Sequence, residues 1–511
     1  MTAPDQKPSE RILRNSIWYG LETSIEIVVF FASSIAVARY LGPEKLGHFS
    51  YINFFVSILT QTAGQGISVA TRKYMMEFVA QDRPGIARAV YKLAYRYQLI
   101  GALSISAGSI LLVVLFGEPT YRTMSVILLA SIVPGLMSWV PAQANAAFED
   151  LRPNTFSALG YLVSYALVIA ATIHFRWDLV GIATATLIGR TVEVVLRTGP
   201  VQRRLRVFPL EALEPDLIRR IRRFSVQGIG LQLLTTVVWD RSELIFLKYL
   251  STAEQMAFYS VSFTFTSNLL TAARVLSGAA SISLMGEAGR SYERARELAR
   301  STCRYLLLLT VPICLGAAAV TLSGIQMAYG SRYLPAVPVL ITAVLLGMPR
   351  IFQGVPETLL RAADRQDTIM YWYCVTAVFN GLMDWFLIPR YAAIGAAWGN
   401  GLGQAFGVVA IWVACSRIVP LQFPWKAAAR IGGSGLVVAA VAYAISHHVS
   451  GAPGFFLAVA SGCVIYPIML RLLHALEPGD RQRLALIGDR LPHALLPAFA
   501  ALVAFVTPSP A

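Results

Sequence analysis

The chain has 511 residues, of which 56% are apolar and only 14% are charged. Soluble globular proteins carry about 25% charged residues, so this composition excludes a soluble globular protein and predicts a polytopic membrane protein. The five cysteines lie far apart, without CxxC pairs or histidine neighbours. This spacing excludes a disulfide framework and a zinc site.

The net charge of +15 raises the question of a nucleic-acid partner. The basic residues lie in short loops between apolar runs, however, and not on one soluble face, so we expect no nucleic-acid partner. The N-terminus is polar to about Arg14, and no small-residue cleavage site follows the first apolar stretch. We therefore expect the first helix to be retained and not removed as a signal peptide.

Fourteen segments have the roughly 20 mostly apolar residues that a membrane-spanning helix needs. They cover residues 15–38, 48–71, 93–116, 123–147, 155–175, 179–199, 225–249, 256–284, 303–328, 335–360, 368–388, 392–415, 432–449 and 453–471. When basic residues in the outermost four positions of a span are assigned to the adjoining loop, 32 of the 43 lie in the termini and in loops after even-numbered spans. Seven lie in loops after odd-numbered spans. This bias predicts that both termini, including residues 1–14, are cytoplasmic.

Two segments outside the spans carry their own expectations. Residues 200–224 form a basic cytoplasmic linker, and its amphipathic part is predicted to lie on the anionic inner leaflet. The alternative is a docking surface for a partner. The tail, 472–511, contains an apolar run that is too short and too interrupted by proline for a fifteenth span, so we expect an interfacial or loosely packed segment.

Three sequence blocks recur along the chain. RYLGPEKLGHFS at 39–50 aligns with KYLSTAEQMAFY at 248–259, RPNT at 152–155 with RQDT at 365–368, and GIATATL at 181–187 with GAAWGNG at 395–401. The nearly constant offset predicts an all-α fold with two parallel six-helix lobes and two C-terminal helices. The N-lobe covers 15–199, the C-lobe 225–415 and the last two helices 416–471. Parallel repeats of this kind are typical of alternating-access transporters.

Three stretches resemble the polysaccharide transporter (Wzx-type flippase) family: ARYLGPEKLGHFSYINF, ATRKYMMEF and DRSELIFLKYLSTAEQMAFYSVSF. This family belongs to the multidrug/oligosaccharidyl-lipid/polysaccharide exporter superfamily, together with the lipid II flippases and the multidrug-extrusion (MATE) exporters. The resemblance covers about 1–420. It implies a protein of the bacterial plasma (inner) membrane that moves undecaprenyl-diphosphate-linked oligosaccharides, of O-antigen or exopolysaccharide type, to the outer leaflet. It also implies contacts with membrane lipids and with polymerase and chain-length proteins of the same pathway.

No GxSxG, HExxH or P-loop motif occurs, so we expect a secondary transporter and not an enzyme. We expect no resident cofactor, and an Na⁺ or H⁺ gradient or consumption of the product as the energy source. A glycosyltransferase or ligase typically has a large outer loop, which this sequence lacks. A MATE-like drug exporter predicts an acidic and aromatic cavity, and a non-transporting scaffold predicts that Arg274→Ala and Asp384→Ala are silent.

Four arginines inside predicted spans are candidates to bind the diphosphate, because a guanidinium offers a bidentate fork to phosphate oxygens. Arg274 is the first choice, since it lies mid-span in the eighth segment, where the lipid II flippases also place cavity arginines. The alternative for Arg274 is a structural carboxylate partner. In the other copy of the repeat its counterpart is Gln65. Each of the other three has a nearby carboxylate as an alternative partner: Glu357 for Arg350, Glu193 at i+3 for Arg190, and Asp240 and Glu243 for Arg241.

Glu22 and Glu26 lie one turn apart on one face of the first span. They are candidates for relaying protons or binding sugar hydroxyls, and the alternative is a pair of structural carboxylates near Arg14. The lipid II flippases carry arginines in their first helix, so the sequence departs from them here.

Oxygen ligands form a second candidate site. Asn380 and Asp384 are four residues apart on the eleventh span and share a face. Together with Asp240 on the seventh span and Asn400 on the twelfth, they resemble the sodium site of the lipid II flippases. The carbonyl of Ala396 is implied as a fifth ligand, and Asn400 stands where that site has a hydroxyl. The alternative is that Asp384 is merely solvated near the periplasmic interface or paired with Arg390.

Eight aromatic residues lie mostly near predicted span ends, and this position favours an interfacial belt over sugar stacking. They are Trp18, Tyr19, Trp139, Trp239, Tyr371, Trp372, Tyr373 and Trp385.

Overall fold

The computed structural model describes residues 8–239, 242–476, 480 and 496–507, and all regular secondary structure in these ranges is helical. The chain divides into two compact units. The first comprises Met1–Lys248 and Thr252–Ala257, and the second comprises Tyr249–Ser251 and Phe258–Ala511.

Helices α1 to α7 belong to the first unit, as does α8 up to Lys248. They are α1 Pro8–Ala80, α2 Pro84–Phe116, α3 Arg122–Ala130, α4 Ile132–Ala147, α5 Arg152–Phe175, α6 Asp178–Arg206, α7 Pro215–Trp239 and α8 Glu243–Leu250. The long α1 contains the first two predicted spans, separated by a break at Gly42. Gly42 has φ 75° and ψ 172°, which side-chain-bearing residues rarely adopt, and Pro43 follows it without a backbone donor. The sequence Gly-Pro therefore sets the boundary between these spans.

The second unit contains the remaining helices, and α9 begins in the first unit. They are α9 Ala253–Leu269, α10 Thr271–Ala288, α11 Tyr292–Ala319, α12 Thr321–Ala328, α13 Val337–Leu346, α14 Gly354–Ala362, α15 Gln366–Ser416, α16 Trp425–His448, α17 Gly451–Leu472 and α18 Leu496–Val506. The eighth predicted span is bent by 47° between α9 and α10. The eleventh and twelfth spans are the two halves of α15, which breaks at Ala392 shortly after Pro389.

Each predicted span lies on described helices, and the seventh also crosses residues 240–241, which lie outside the described part. Eight helical segments of the described chain are long and apolar enough to cross a membrane, and nine if the bent pair α9–α10 is one span. The prediction of an all-α, multi-pass membrane protein is confirmed. The number of fourteen crossings stays a prediction.

The basic linker is mostly helical, since α6 extends to Arg206 and α7 begins at Pro215. Leu205, Leu217 and Ile221 are buried in one apolar cluster with residues of α1 and α2. Arg88 of α2 also donates a hydrogen bond to the carbonyl oxygen of Phe208. The linker is thus packed onto the first unit, while its contact with the leaflet stays a prediction.

Two ion pairs lie in the first unit. Lys45, just after the Gly42 break of α1, pairs with Asp178 at the start of α6, and Lys248 of α8 pairs with Glu118, just after α2. The hydrogen bond to Asp178 raises the pKa of Lys45, and the hydrogen bond from Lys248 lowers the pKa of Glu118. Both pairs lie at least partly in water, so each contributes little to stability.

The described part of the C-terminal tail is anchored to the second unit by a buried ion pair. Asp480 is fully buried, and it accepts hydrogen bonds from Arg304 and, at 2.8 Å, from the Tyr305 hydroxyl. Val506 of α18 packs in the same apolar cluster as Leu470. Ala475, Leu476, Asp480 and Val506 are therefore buried in the second unit, whereas Leu472 and Phe505 are exposed. The expectation of an interfacial or loosely packed tail stays a prediction.

We expect Asp480→Asn to lower the free energy of unfolding by about 3–5 kcal/mol, because it leaves the buried Arg304 guanidinium without its counter-charge. The measurement is thermal unfolding of the purified full-length protein in detergent. Glu118→Gln is the control, since it removes a largely exposed ion pair worth at most about 1 kcal/mol. Equal losses in the two variants would contradict the anchoring role of Asp480.

Candidate functional site

Two of the predicted arginines line one cavity of the second unit. Arg274 and Arg350 meet there with Asn400 and Gln404. The other lining residues are Tyr259, Phe263, Thr266, Ser267, Leu270, Ala343, Gly347, Ile351, Ala397 and Gly401. The cavity has a volume of about 30 Å³, which is room for about two water molecules. A diphosphate therefore requires a wider opening than this state provides.

Both arginines lie at interruptions of helical structure. Arg274 is in the first turn of α10, just after the bend, and its Nη2 donates to the carbonyl oxygen of Ser267 at 2.7 Å and to Thr271 Oγ1 at 2.9 Å. Arg350 lies in the 3₁₀ segment Met348–Gln353, which separates α13 from α14. Irregular backbone inside a membrane protein is tolerated where it lines a cavity, and the two arginines lie at such positions.

Glu357, the alternative partner suggested for Arg350, has several other partners. It accepts hydrogen bonds from Gln353 Nε2 and, at 2.5 Å, from the Tyr373 hydroxyl. Arg361 lies one turn further along α14 and approaches it at 3.4 Å. These contacts fix Glu357 between α14 and α15.

The predicted oxygen ligands begin with a buried polar row on the first half of α15. Thr376, Asn380 and Asp384 follow one another at intervals of four residues, with exposed fractions of 1%, 4% and 0%. Asn380 Nδ2 donates to Asp384 Oδ2 at 3.3 Å. The alternative of a merely solvated Asp384 is therefore wrong.

A row of glycines on the second half of α15 faces the polar row. A Cβ atom added at Gly399 would lie 2.3 Å from Asp384 Oδ1, and one at Gly403 would lie 2.6 Å from Asn380 Oδ1. At Gly407 it would lie 2.8 Å from the hydroxyl of Thr376. Only glycine permits this close approach, so the two halves of α15 pack antiparallel with the polar oxygens between them.

Asn400 lies on the neighbouring face of the second half of α15, one residue after Gly399. Its Oδ1 accepts a hydrogen bond from Gln404 Nε2 at 2.7 Å, and both side chains line the arginine cavity. Ala396 is one turn earlier and fully buried. One half-helix therefore presents glycines to the polar row and amides to the arginines.

The donor set of the polar row suits a monovalent cation. It consists of a hydroxyl, an amide and one carboxylate, whereas Ca²⁺ and Mg²⁺ sites usually need more oxygen ligands or more carboxylates. Among the described residues, no group of three or more His, Cys, Asp or Glu side chains is placed to hold a metal ion. The residues present thus fit Na⁺ or a proton better than a divalent ion.

Arg190 forms the expected ion pair with Glu193, at 2.8 Å, in the first unit. Arg197 binds the other carboxylate oxygen at 3.0 Å and donates to Ser157 Oγ at 2.9 Å. The Arg190 guanidinium also lies 4.7 Å from the centre of the Tyr161 ring. Sequence reasoning missed Arg197, although its i+4 spacing from Glu193 was a usable signal.

The remaining predicted site residues lie on α1 of the first unit or outside the described residues. Gln65 is half-buried on α1 of the first unit. Asp240 and Arg241 lie outside the described residues. Glu22 and Glu26 are on α1, but their side chains lie outside the described part. Their roles stay predictions.

The glycine row, Thr376 and Gln404 were missed from the sequence. The signal was present as the repeated spacing Gly-x-x-x-Gly from Gly395 to Gly407. Small residues at this spacing let helices in membranes approach closely. The preceding span has polar residues at the same four-residue interval. Comparison of the two spacings would have predicted that the glycine row packs against the polar row.

Comparisons with known proteins identify the family and the fold. The family model described as polysaccharide biosynthesis protein matches residues 36–338. Among solved structures, the lipid II flippase MurJ in an inward closed conformation is similar, with TM-score 0.73, 13% identity, and coverage of 90% of this chain and 99% of that chain. An inward-facing multidrug resistance MATE family transporter of the MOP superfamily gives TM-score 0.63 at 13% identity, covering 80% and 98%.

A MOP superfamily transporter from Pyrococcus furiosus gives TM-score 0.54 at 13% identity, covering 81% of this chain and 96% of that chain. No curated protein sequence matches the chain. At these identities the solved structures show the fold, so the predicted MATE and lipid II flippase-like fold is confirmed.

We expect Gly403→Ala to lower the free energy of unfolding by about 1–3 kcal/mol, the usual cost of overpacking, because its Cβ would displace Asn380. Gly381→Ala is the matched control on the same α15, since no described heavy atom lies within 4 Å of its Cβ position. There alanine should stabilise the helix by roughly 0.5–1 kcal/mol. Thermal unfolding in detergent measures both, and equal effects would contradict the packing of the two rows.

Proposed function

The chain belongs to the polysaccharide biosynthesis protein family, and from this membership we propose that it is a flippase for undecaprenyl-diphosphate-linked oligosaccharide repeat units. It moves them from the inner to the outer leaflet of the bacterial plasma membrane by alternating access. Both termini are cytoplasmic in this proposal, and the protein is a secondary transporter without a catalytic site.

The observation that carries the proposal is the shared cavity of Arg274 and Arg350. Two guanidinium groups on one cavity offer the paired donors that a diphosphate takes. No carboxylate is present among the described lining residues. This charge balance supports an anionic headgroup, and it disfavours the alternative of a MATE-like exporter for small cationic drugs.

The second half of α15 would couple a cation to the cargo, because one of its faces packs on the polar row and the next face lines the arginine cavity. Thr376, Asn380 and Asp384 would hold Na⁺ or a proton against the glycine face, and Asn400 and Gln404 face the arginine cavity. The ion would neutralise the Asp384 carboxylate. A change in the packing of the glycine face then moves the amides beside the headgroup site, so the ion and the cargo act on the same half-helix.

Arg274 and Arg350 therefore have a testable role in transport. We expect Arg274→Gln and Arg350→Gln each to reduce cargo transfer by roughly tenfold or more, because each removes a charge-assisted contact with the diphosphate. The measurement is mass spectrometry of undecaprenyl-linked intermediates in a deletion strain that expresses each variant at equal level. A complete, unpolymerised repeat unit should accumulate.

The control for these variants is Arg290→Gln, which changes an exposed arginine just after the end of α10. Accumulation equal to that of the control would contradict the headgroup site. An unchanged lipid pool in the deletion strain itself, together with new sensitivity to cationic drugs, would replace the flippase with the exporter.

Asp384→Asn tests the cation site, and its effect should differ from that of the arginine variants. We expect transfer in proteoliposomes to lose its response to an imposed Na⁺ or pH gradient, because the amide cannot neutralise a cation. Asp367→Asn, at an exposed position on the same α15, is the control and should keep the response. Retained gradient dependence in Asp384→Asn would overturn the assignment of the cation site. If neither Asp384→Asn nor Arg274→Gln changed transport, the alternative of a non-transporting scaffold would be favoured.

A further inference from the structure

A second and larger crevice opens on the second unit, at the end of α15 away from the Ala392 break. Its volume is about 500 Å³, within the range of roughly 300–1,000 Å³ common for small-molecule sites. It shares no lining residue with the arginine cavity. It is lined by Arg365, Thr368, Tyr371, Trp372, Phe406, Val409, Ala410, Val413, Ala414, Arg417 and Ile418.

The lining forms two helical stripes with an apolar floor. The stripe on the second half of α15 runs from Phe406 through Val409 and Val413 towards Arg417, at spacings of three and four residues that share one face. Val409 and Val413 have exposed fractions of 60% and 49%. This stripe adjoins the glycine row along the same half-helix, so the floor is held by the packing of the two halves of α15.

The open end of the crevice is polar and positively charged. Arg365 and Arg417 flank α15 at its two termini, which the antiparallel packing brings to the same end. Arg365 Nε lies 3.3 Å from Asp367 and its Nη2 donates to Thr368 Oγ1 at 3.2 Å, which leaves further guanidinium donors on Arg365. Arg417 is exposed, and no carboxylate lies among the described lining residues.

Aromatic residues indicate how deep this charged end lies in the membrane. Tyr371 and Trp372 both lie about two turns inside Arg365. Their ring centres are 5.4 Å apart, and the ring centres of Trp372 and Phe406 are 6.4 Å apart. Tyr and Trp concentrate at the membrane–water interface, where an apolar body and a polar edge are both satisfied. The charged end therefore lies at headgroup level and the apolar floor at acyl-chain level.

We propose that this crevice binds an anionic glycerophospholipid of the cytoplasmic leaflet, with its phosphate between Arg365 and Arg417 and one acyl chain along Val409, Ala410 and Val413. The assignment to the cytoplasmic leaflet rests on the orientation in the proposed function. A soluble phosphate would leave the apolar stripe uncovered, and a choline headgroup would bring a cation to two arginines. Basic pockets between helices on the cytoplasmic side have the chemistry for anionic lipid headgroups.

The bound lipid would act on the ion site as well. Its headgroup joins the two termini of α15, and its chain covers the helix half whose glycines face Thr376, Asn380 and Asp384. The lipid therefore stabilises the packing of the polar row against the glycine row. We expect added anionic lipid to raise the midpoint of thermal unfolding of the wild-type protein.

The test is native mass spectrometry of the purified full-length protein, titrated with phosphatidylglycerol and with phosphatidylcholine of identical acyl chains. We expect phosphatidylglycerol to bind more tightly, and Arg365→Gln or Arg417→Gln to weaken it by about fivefold each. Arg390→Gln is the matched control, since it removes one exposed charge at the other end of the first half of α15. Val413→Trp should also weaken binding, because it fills the floor and keeps both arginines.

Several results would overturn the proposal. Equal loss in Arg390→Gln would show a general charge effect, and equal binding of phosphatidylcholine would show no selection for an anion. Displacement of phosphatidylglycerol by glycerol phosphate would show a site for free phosphate without an acyl chain. Stronger binding of undecaprenyl phosphate at Arg365 and Arg417 would show a cargo-type lipid instead.

The lipid-binding measurement uses no oligosaccharide cargo and involves no transport step. Failure of the flippase assignment would leave the lipid titration interpretable, and loss of lipid selectivity would leave the cargo measurements unaffected. The exposed positions of Arg417 and Arg390 allow these variants to fold, which elution as a single monodisperse peak checks.

Discussion

The burial of one carboxylate governs the architecture of the second unit. Asp384 is fully buried in a predicted membrane span, where an ionisable group costs a few kcal/mol or more unless its surroundings compensate. Asn380 Nδ2 donates a hydrogen bond to the Asp384 carboxylate at 3.3 Å. Gly399 and its equivalents one and two turns on let the second half of α15 pack directly against the polar row. The break at Ala392 is what folds the two halves of α15 together and makes this contact possible.

Two consequences follow from that packing. The second half of α15 carries the glycines on one face and Asn400 and Gln404 on the next, so the polar row and the arginine cavity share a structural element. The same antiparallel arrangement brings the two termini of α15 together and creates the basic crevice between Arg365 and Arg417. The proposed ion, headgroup and lipid sites thereby each include residues of one helical hairpin.

Contacts between neighbouring residues of one helix could be predicted from the sequence. Hydropathy located apolar helices, and spacings of three or four residues placed Arg190 beside Glu193 and Asn380 beside Asp384. Each of these depends on neighbours along one helix, where periodicity alone fixes which side chains meet. The family was also recognisable from the order of short motifs, and the family match confirmed it.

Contacts between distant segments were decided only by the tertiary structure. Nothing in the local pattern shows that Arg274 and Arg350 line one cavity, whereas the i+3 spacing already indicated the pair of Arg190 with Glu193. Arg304, near the start of the predicted span 303–328, is buried against Asp480, far along the chain. The physical reason is that composition and periodicity fix which face of a helix is apolar, whereas helix breaks and close glycine packing fix which polar faces come together.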